Sequence, residues 1–379
     1  MDAEETRRLI GRLVERAVEG SLDLAPEPMV EDVAEFLDPE RFERERRQFF
    51  VDTPQVVGFA GELREPGRYL AVEVVGVPIV VTRTTQGELR AFVNACAHRG
   101  AQVAHGQGAS QRLTCGFHGW TYSLEGRLVG RRADDCFEPV GEGCNLVRLP
   151  VSDRSGLLVV GVHPGITQAQ VDGHLADIEA QFAGFGFDAL HPLETRRFEV
   201  AANWKLIAAL SFESYHFLTL HRDTVGTLFR GDSVADEFGP RNSRWAFALK
   251  GTEALAQVDP ADWPTEVPGA INHCLFPGTV VITSPSGAQI IRSEPGPTVG
   301  QSIVHYHGAF ADPAHRKAAQ GAYDFGGNAF EHEDLVAAVQ CQRGLAAAGG
   351  TIQIGRNEPM VQFWHRVWRE QLDAGNGGS

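Results

Sequence analysis

Two cysteine–histidine pairs, separated by sixteen residues, constrain this 379-residue chain more than any other feature. The first pair is Cys96-x-His98 and the second is Cys115-x-x-His118. Each loop supplies one sulfur and one nitrogen, whereas a zinc finger normally pairs cysteine with cysteine and histidine with histidine. Two centres fit this set of ligands: a tetrahedral zinc ion, or a two-iron cluster with both thiolates on one iron and both imidazoles on the other.

The surrounding sequence predicts a small all-β domain. Short Val-rich segments alternate with glycine-containing turns, as strands do, at 69–75, 78–83, 89–94, 112–115, 120–123 and 156–162. Gly100 and Gly119 follow the two ligand pairs, and glycine permits tight turns that point backbone N–H groups at cluster sulfurs. The metal ligands are therefore expected on loops of a β domain.

The ligand loops carry a resemblance to a family. Cys-x-His-Arg-Gly at 96–100, followed by Cys-x-x-His-Gly-Trp-x-Tyr-Ser-Leu-x-Gly-Arg at 115–127, closely resembles the Rieske domain of the Rieske non-haem iron oxygenases, the aromatic ring-hydroxylating alpha subunits. The resemblance implies one Rieske [2Fe–2S] cluster held by Cys96, His98, Cys115 and His118. The remaining cysteines have no matching partners and are interpreted as buried or incidental thiols; they are Cys136, Cys144, Cys274 and Cys341.

A second motif lies about a hundred residues further on. Two histidines and one distant carboxylate form the facial triad of non-haem iron(II) sites, which leaves coordination positions open. The family pattern matches at Asn203-Trp204-Lys205, Glu213, Tyr215-His216 and His221. The resemblance implies that His216 and His221 bind one mononuclear Fe(II) per chain. It also implies that Glu213 is the carboxylate that bridges the two metal centres.

The spacing of the two histidines makes a structural prediction. Residues five apart on a regular α-helix diverge by about 140° around the axis. Both imidazoles can converge only if the helix widens or breaks between them, as π-bulges do at functional sites. We therefore predict such a distortion within residues 217–220.

The third iron ligand is expected far along the chain. Glu333-Asp334 opens a predicted helix at 333–348 and precedes Gln-Arg-Gly-Leu at 342–345, which resembles the closing motif of the family. The resemblance implies that Asp334 is this ligand. By residue type alone, Glu331, Glu333 and Asp334 also fit acids that complement a helix N-terminus.

The sequence departs from the family just before the bridging acid. Many relatives have an acid–amide pair there, whereas this chain has Ala209 and Leu210, which predicts a more apolar wall near the iron. Candidates for an apolar pocket, or alternatively for ordinary core packing, are Phe212, Phe217, Leu218, Leu228 and Phe229.

The expected fold class is α+β. An N-terminal helical segment, 1–50, is expected to pack on the catalytic domain; the Rieske domain covers 51–164 and the catalytic domain 165–379. Periodicity predicts helices at 1–20, from 39, and at 168–182, 333–348 and 358–372, and antiparallel strands at 195–202, 279–283, 289–293 and 301–310. The resemblance adds a helix-grip arrangement for the catalytic domain, an antiparallel sheet covered by helices.

Composition narrows the partners. A net charge of −15 argues against nucleic acid, because phosphate binding needs clustered Lys and Arg. No apolar run is long enough to span a membrane, and the acidic N-terminus does not resemble a signal peptide, so a cytoplasmic protein is expected. A Gly-x-Gly-x-x-Gly fingerprint between strand and helix is missing, which predicts a separate NAD(P)H-dependent reductase, with or without a ferredoxin.

The family also implies an assembly. In a homotrimer, the cluster of one subunit meets the iron of the next, and Glu213 would link His216 to the neighbour's His118. The favoured function is a terminal oxygenase, mono- or dioxygenase, that uses O2 to hydroxylate an aromatic or other apolar small molecule in aromatic hydrocarbon catabolism.

Other functions fit parts of the sequence. The alternative is oxidative N- or O-demethylation of a methylated substrate such as a quaternary ammonium compound. A cation of that kind needs an aromatic cage, for which Trp204, Trp245, Trp263 and Trp364 are available. A Rieske electron carrier without oxygenase activity is disfavoured by the second ligand set, and a zinc-binding interaction module is the last option.

Overall fold

The computed structural model describes residues 1–285 and 287–375. The chain forms two compact units. The larger unit contains Met1–Arg46, Ala183–Phe185 and the residues from Leu193 onward; the smaller unit contains Arg47–Phe182 and Gly186–Pro192. No helix among the described residues is long and apolar enough to cross a lipid bilayer.

The α-helices are α1 (Ala3–Glu19), α2 (Ala34–Leu37), α3 (Pro39–Glu45), α4 (Gln168–Gly173), α5 (Trp204–Leu210), α6 (Arg316–Ala329), α7 (Leu335–Ala348) and α8 (Pro359–Ala374). Among the residues that the structure describes, Arg46–Val51 and Phe330–Asp334 are π-helical. The strands are β1 (Met29–Asp32), β2 (Gln55–Phe59), β3 (Arg68–Val74), β4 (Val77–Arg83), β5 (Leu89–Val93), β6 (Gln107–Ala109), β7 (Arg112–Thr114), β8 (Thr121–Ser123), β9 (Leu128–Gly130), β10 (Arg148–Leu149), β11 (Val151–Arg154), β12 (Leu157–Val160), β13 (His191–Val200), β14 (Phe229–Phe238), β15 (Asn242–Leu249), β16 (Gly269–Leu275), β17 (Thr279–Ser284), β18 (Gly287–Pro295), β19 (Ser302–Phe310) and β20 (Thr351–Ile354).

The smaller unit is built mainly from antiparallel sheets. A five-stranded sheet has the order β10-β5-β4-β3-β6, and two three-stranded sheets have the orders β11-β12-β2 and β7-β8-β9. Its core contains Val80, Phe92 and Tyr122 together with both predicted cluster cysteines. Each predicted strand of this region has a counterpart, so the all-β prediction is confirmed.

The helix predicted at 168–182 is wrong beyond its first turns. Helix α4 ends at Gly173, and turns with a short 3₁₀ helix at Glu179–Gln181 follow it. Glycine is a poor helix former. The apolar residues that produced the helical period are nevertheless buried together: Val171, Leu175, Ile178 and Phe182. The helical spacing of the apolar residues therefore indicated which side of the segment is buried, but it did not indicate a continuous helix.

The larger unit is organised around a seven-stranded antiparallel sheet with the order β13-β19-β18-β17-β16-β15-β14. The prediction missed β14, β15 and β16. All seven residues of β16 are buried, as are seven of the eight in β15. A strand covered on both faces shows no alternation of apolar and polar residues, so periodicity cannot identify it.

Helices cover this sheet. Ile207 of α5, Tyr323 of α6 and Ala338 of α7 share a core with Ile291 and Val304 of the sheet. Helix α6 escaped prediction because it contains several glycines, which lower helix propensity. A Cβ at its Gly327 would lie 2.8 Å from the guanidinium end of Arg196 and 3.3 Å from the Tyr306 ring, so α6 approaches these side chains closely at this position.

Helix α1 packs on the same unit. Asp2 caps its first turn by accepting a hydrogen bond from Glu5 N, 2.8 Å, and Gly20 ends it in the left-handed conformation. Its apolar face, which includes Leu9 and Leu13, shares a core with Val234, Ala246 and Ile271 of β14–β16.

Candidate metal centres and substrate pocket

The two cysteine–histidine loops of the smaller unit have the same backbone geometry. Gly100 N donates to Cys96 O at 2.8 Å, and Gly119 N donates to Cys115 O at 2.9 Å. Both glycines have positive φ, 77° and 75°, which a side chain would disfavour. Both cysteines are only 3% exposed. The matched turns present two buried thiols from equivalent positions.

The two histidines of these loops lie together. The ring centroids of His98 and His118 are 4.6 Å apart, and the ring of Trp120 stacks on His98 at 5.1 Å with 5° between planes. Desolvation, with His118 and Arg99 nearby, lowers the pKa of His98, which favours the neutral imidazole that a metal requires. The structure thus brings all four sequence-predicted residues to two adjoining turns.

Tyr122 adds a donor that the motif did not single out. Its hydroxyl oxygen accepts a hydrogen bond from Ala97 N at 3.0 Å and lies 3.2 Å from Cys96 Sγ. Because the hydroxyl already accepts from the backbone, its own proton is available to the sulfur. Burial raises the pKa of Tyr122, so it remains a donor. A donor aimed at a cysteine sulfur suits an iron–sulfur cluster, whose potential depends on such bonds.

The second candidate centre lies in the larger unit. Ligand atoms of His216, His221 and Asp334 all lie within 4.8 Å of one another. Asp334 Oδ1 is 3.6 Å from His216 Nε2 and 3.2 Å from His221 Nε2. Two imidazoles and a carboxylate that converge in this way fit the facial triad of a non-haem iron site.

The chain between the histidines is irregular. Helix α5 ends at Leu210, and residues 215–224 form turns in which Leu220 N donates to His216 O at 2.8 Å. The prediction that 217–220 departs from a regular helix is confirmed, although the distortion is a run of turns and not a π-bulge. Glu213 also lies outside any helix. The π-helix instead carries Asp334.

Two further carboxylates hold the outer nitrogens of the histidines. Glu213 pairs with His216 Nδ1, and its other oxygen accepts from His216 N at 3.2 Å. Glu333 Oε2 lies 2.6 Å from His221 Nδ1 and accepts from Thr224 Oγ1 at 2.9 Å. The sequence analysis did not predict that Glu333 contacts His221. The only feature of the sequence that could have indicated this role is that Glu333 directly precedes Asp334.

The acids influence His221 directly. Burial of this ring opposes its charged form, but hydrogen bonds and charges of Asp334 and Glu333 outweigh burial, and the pKa of His221 is raised. A proton therefore competes with a metal ion for this ligand, and metal uptake is expected to strengthen as pH rises.

A cavity of about 530 Å³ adjoins the histidines. Of the predicted pocket residues, Phe217, Leu228 and Phe229 line it, and so does Leu210, which supports the apolar wall expected from the departure at 209–210. The other two candidates do not line it. Phe212 packs against Trp364 with centroids 4.4 Å apart, and Leu218 is 61% exposed.

Only one of the four tryptophans considered as cage residues lines the cavity. It is Trp245, which stacks against Phe247 at 4.6 Å. Trp204 and Trp364 are fully buried beside Trp368. Trp263 lies 3.5 Å from the position of a Cβ on Gly11 of α1. Further walls of the pocket come from strands β14–β19 and from helix α6, of which the sequence had predicted β17, β18 and β19.

Comparison with known families agrees with both centres. A family described as "Rieske [2Fe-2S] domain" matches residues 53–147, and one described as "Ring hydroxylating alpha subunit (catalytic domain)" matches residues 187–374. The chain therefore belongs to the Rieske non-haem iron oxygenases, as an oxygenase alpha subunit. This family carries a Rieske [2Fe–2S] cluster and a mononuclear iron, and the two ligand sets fit them.

Individual proteins with similar sequences or folds include oxygenase subunits of monooxygenases. The chain is 31% identical over 202 residues to the glycine betaine monooxygenase oxygenase subunit of Chromohalobacter salexigens, a match that covers 52% of this chain and 44% of that protein. It is 26% identical over 323 residues to the carnitine monooxygenase oxygenase subunit of Acinetobacter baumannii, covering 81% and 83%. The fold resembles a quaternary ammonium Rieske monooxygenase crystallised with L-carnitine, with TM-score 0.74, 22% identity and coverage of 92% and 96%.

Proposed function

We propose that this chain is the terminal oxygenase component of a multicomponent system that oxidises a methylated small molecule, such as a quaternary ammonium compound, with O2. The observation that carries the proposal is that one chain holds two candidate ligand sets, the cysteine–histidine pairs on two matched turns and the converging His216, His221 and Asp334, with an aromatic cavity beside the second set. A simple electron carrier needs only the first set.

The residues have separate tasks in this proposal. Cys96, His98, Cys115 and His118 hold the [2Fe–2S] cluster, and His216, His221 and Asp334 hold the Fe(II). When bound, the cluster supplies single electrons and the iron supplies oxygen activation. Glu213 and Glu333 fix the orientation of the imidazoles by accepting hydrogen from Nδ1, which leaves Nε2 free for the metal.

Electrons come from outside the chain in this proposal. The sequence contains no nucleotide-binding fingerprint in a strand-to-helix setting, so an NAD(P)H-dependent reductase supplies them, either directly or through a ferredoxin. Within the chain, residues 1–50 form the helical segment on the catalytic domain, 51–164 the Rieske domain and 165–379 the catalytic domain.

We further propose a homotrimer with a head-to-tail contact, since cyclic closure of such contacts is a common solution. Glu213 links His216 to the neighbour's His118. Both oxygens of Glu213 already accept hydrogen bonds within its own chain. Each carboxylate oxygen has two lone pairs, so one more donor from a neighbouring subunit can be accommodated.

Two substrate classes compete. Methylammonium oxidation is supported by the names of the relatives, glycine betaine and carnitine monooxygenases, and by the aromatic walls of the cavity. Hydroxylation of a neutral aromatic molecule was the favoured sequence-based function; the apolar lining keeps it as the second candidate, but the comparisons support it less well.

Metal content and turnover test the proposal together. Iron-loaded protein should contain three irons per chain and, with a surrogate reductase, NADH and O2, should release formaldehyde from a methylammonium substrate. The His216→Ala variant should keep two irons and lose turnover. Two irons in the unmodified protein, without substrate-dependent O2 consumption, would identify an electron carrier instead.

A further inference from the structure

The charges that line the cavity beside His216 do not match those expected for the zwitterionic substrates after which the relatives are named. Among the described residues that line it, the carboxylate is Asp334, and none is Lys or Arg. Carnitine and glycine betaine each carry a carboxylate besides the quaternary nitrogen. A buried carboxylate needs a cationic or hydrogen-bonding partner, and an unpaired one is strongly disfavoured.

Three polar side chains that line the cavity direct a donor at the protein itself. Trp245 Nε1 and Asn272 Nδ2 both donate to the backbone oxygen of Ser211, at 2.6 and 3.0 Å. The Tyr306 hydroxyl donates to Gln289 Oε1 at 2.7 Å. These donors are therefore directed at acceptors of the protein, whereas an anion would require donors directed at the substrate.

The shared acceptor also fixes the orientation of Asn272. Its Nδ2 must face the Ser211 carbonyl, because two oxygens would otherwise meet. The Oδ1 atom is consequently left without a hydrogen-bond partner, in a residue that is only 4% exposed. The amide nitrogen is therefore engaged with the Ser211 carbonyl, and the buried oxygen, an acceptor, cannot donate a hydrogen bond to an anionic group.

The acids around the histidines act in the same direction. Asp334, Glu213 and Glu333 place three carboxylates about His216 and His221. Their formal charge of −3 exceeds the +2 charge of ferrous iron, so these groups together with the metal supply no net positive charge to attract an anion.

The aromatic walls suit an apolar or cationic body. Trp245 and Phe247 form one stacked wall, and Phe217 meets Phe247 at 82° with centroids 5.0 Å apart. Phe229 meets Phe247 at 69°. Rings at steep mutual angles present both faces and edges to an enclosed group, and ring faces attract methylammonium cations.

We infer that the substrate of this pocket carries no anionic group: it is a methylammonium compound without a carboxylate. The inference rests on the proposed function. It distinguishes the substrate of this chain from the zwitterions after which its relatives are named. The preference against anions follows because the described lining residues include no cationic side chain. A carboxylate that entered the cavity would lose its hydration without gaining a partner.

Two matched ligand pairs separate this inference from the proposed function. Binding to the iron-loaded, reduced protein is measured anaerobically by calorimetry for choline against glycine betaine, and for toluene against benzoate. We expect the carboxylate to weaken binding at least about 30-fold within the pair that binds, as loss of charged hydrogen bonds predicts.

The outcomes are distinct. Preference for choline over glycine betaine supports both the inference and the proposed substrate class. Preference for toluene over benzoate, with neither ammonium compound bound, supports an anion-free pocket and overturns the methylammonium class. Equal or tighter binding of the carboxylate in either pair overturns the inference.

An engineered cation provides a second test. Gln289→Arg places a guanidinium beside the cavity and should narrow the choline-to-betaine ratio by about tenfold or more, whereas Gln289→Met, which removes the polar group without adding charge, should not. An unchanged ratio in a folded, iron-loaded Gln289→Arg protein would contradict the inference.

Discussion

Glu333 lies 2.6 Å from Nδ1 of His221, while Asp334, the next residue, lies 3.2 Å from Nε2 of the same ring. Consecutive residues thus reach opposite nitrogens of one imidazole from the end of a π-helix. A proton on Nδ1, held by Glu333, leaves the Nε2 lone pair for a metal. The tautomer of this ligand is set by a residue 112 positions away in sequence.

We predict that Glu333→Gln weakens iron binding about 10- to 100-fold, the range typical of partners that orient metal-bound histidines. Iron titration of the metal-free protein measures it. The matched control is Glu331→Gln, the same change two residues earlier in the same π-helix, which should leave iron affinity at the unmodified level. Equal affinities of the two variants would contradict the orienting role.

Glu213→Gln should behave differently. With iron in excess both centres should fill, because Glu213 touches Nδ1 of His216 and not the nitrogen that faces Asp334. Turnover should nevertheless be lost, since a neutral amide replaces the proposed link to the neighbouring subunit. Steady-state O2 consumption measures turnover. Glu333→Gln serves as the comparison, because this variant should recover activity at saturating iron. Full activity of Glu213→Gln would sink the bridging role.

Tyr122→Phe should lower the reduction potential of the cluster. The hydroxyl lies 3.2 Å from Cys96 Sγ, and a hydrogen bond to a ligand sulfur stabilises the more negative, reduced cluster. A spectroelectrochemical titration measures the shift. Tyr69→Phe removes a hydroxyl elsewhere in the same core region and should leave the potential unchanged; an unshifted potential in Tyr122→Phe would rule out the tuning bond.

The stability of the larger unit should depend on His273. Burial, with Arg244 and the amino terminus nearby, lowers the pKa of this ring from 6.5 to about 3. Below pH 6.5 the unfolded chain binds a proton that the folded chain does not, so this contribution to stability is present above pH 6.5 and is lost as pH falls towards 3.

The His273→Leu variant should therefore lose less stability between pH 7 and pH 5 than the unmodified protein does, by about 2 kcal/mol. Urea unfolding followed by tryptophan fluorescence at the two pH values measures the difference, and comparison within each protein cancels the effect of repacking. Identical pH dependence in both proteins would show that His273 does not titrate in this way.

The cluster loops show what local sequence can specify. Each loop needs only a cysteine, a histidine and a glycine within five residues, and the turn geometry follows from the glycine at positive φ. The residues of both pairs are therefore readable in the chain itself. The contact between Tyr122 and Cys96 was not, because it depends on how β8 packs beneath the first loop.

Part of the iron site could be predicted from the sequence, and part followed only from the tertiary structure. His216 and His221 were identified by resemblance to the family motif, and their spacing of five residues indicated that a regular helix could not hold both as ligands. Asp334 was identified by resemblance to the family motif. The contact of Glu333 with His221 joins residues 112 positions apart, from a π-helical segment to a run of turns, and nothing in the local sequence marks it.

The pocket depended most on tertiary structure. By itself, the sequence determined the metal-ligand types, the β-rich first domain and an apolar wall at Leu210, because each of these rests on neighbouring residues. Among the remaining walls, β15 and β16 are buried on both faces and carry no alternating pattern, so local sequence did not identify them. Which side chains face the iron, and that no Lys or Arg is among those described, followed only from strand register, a property of long-range pairing that local sequence does not encode.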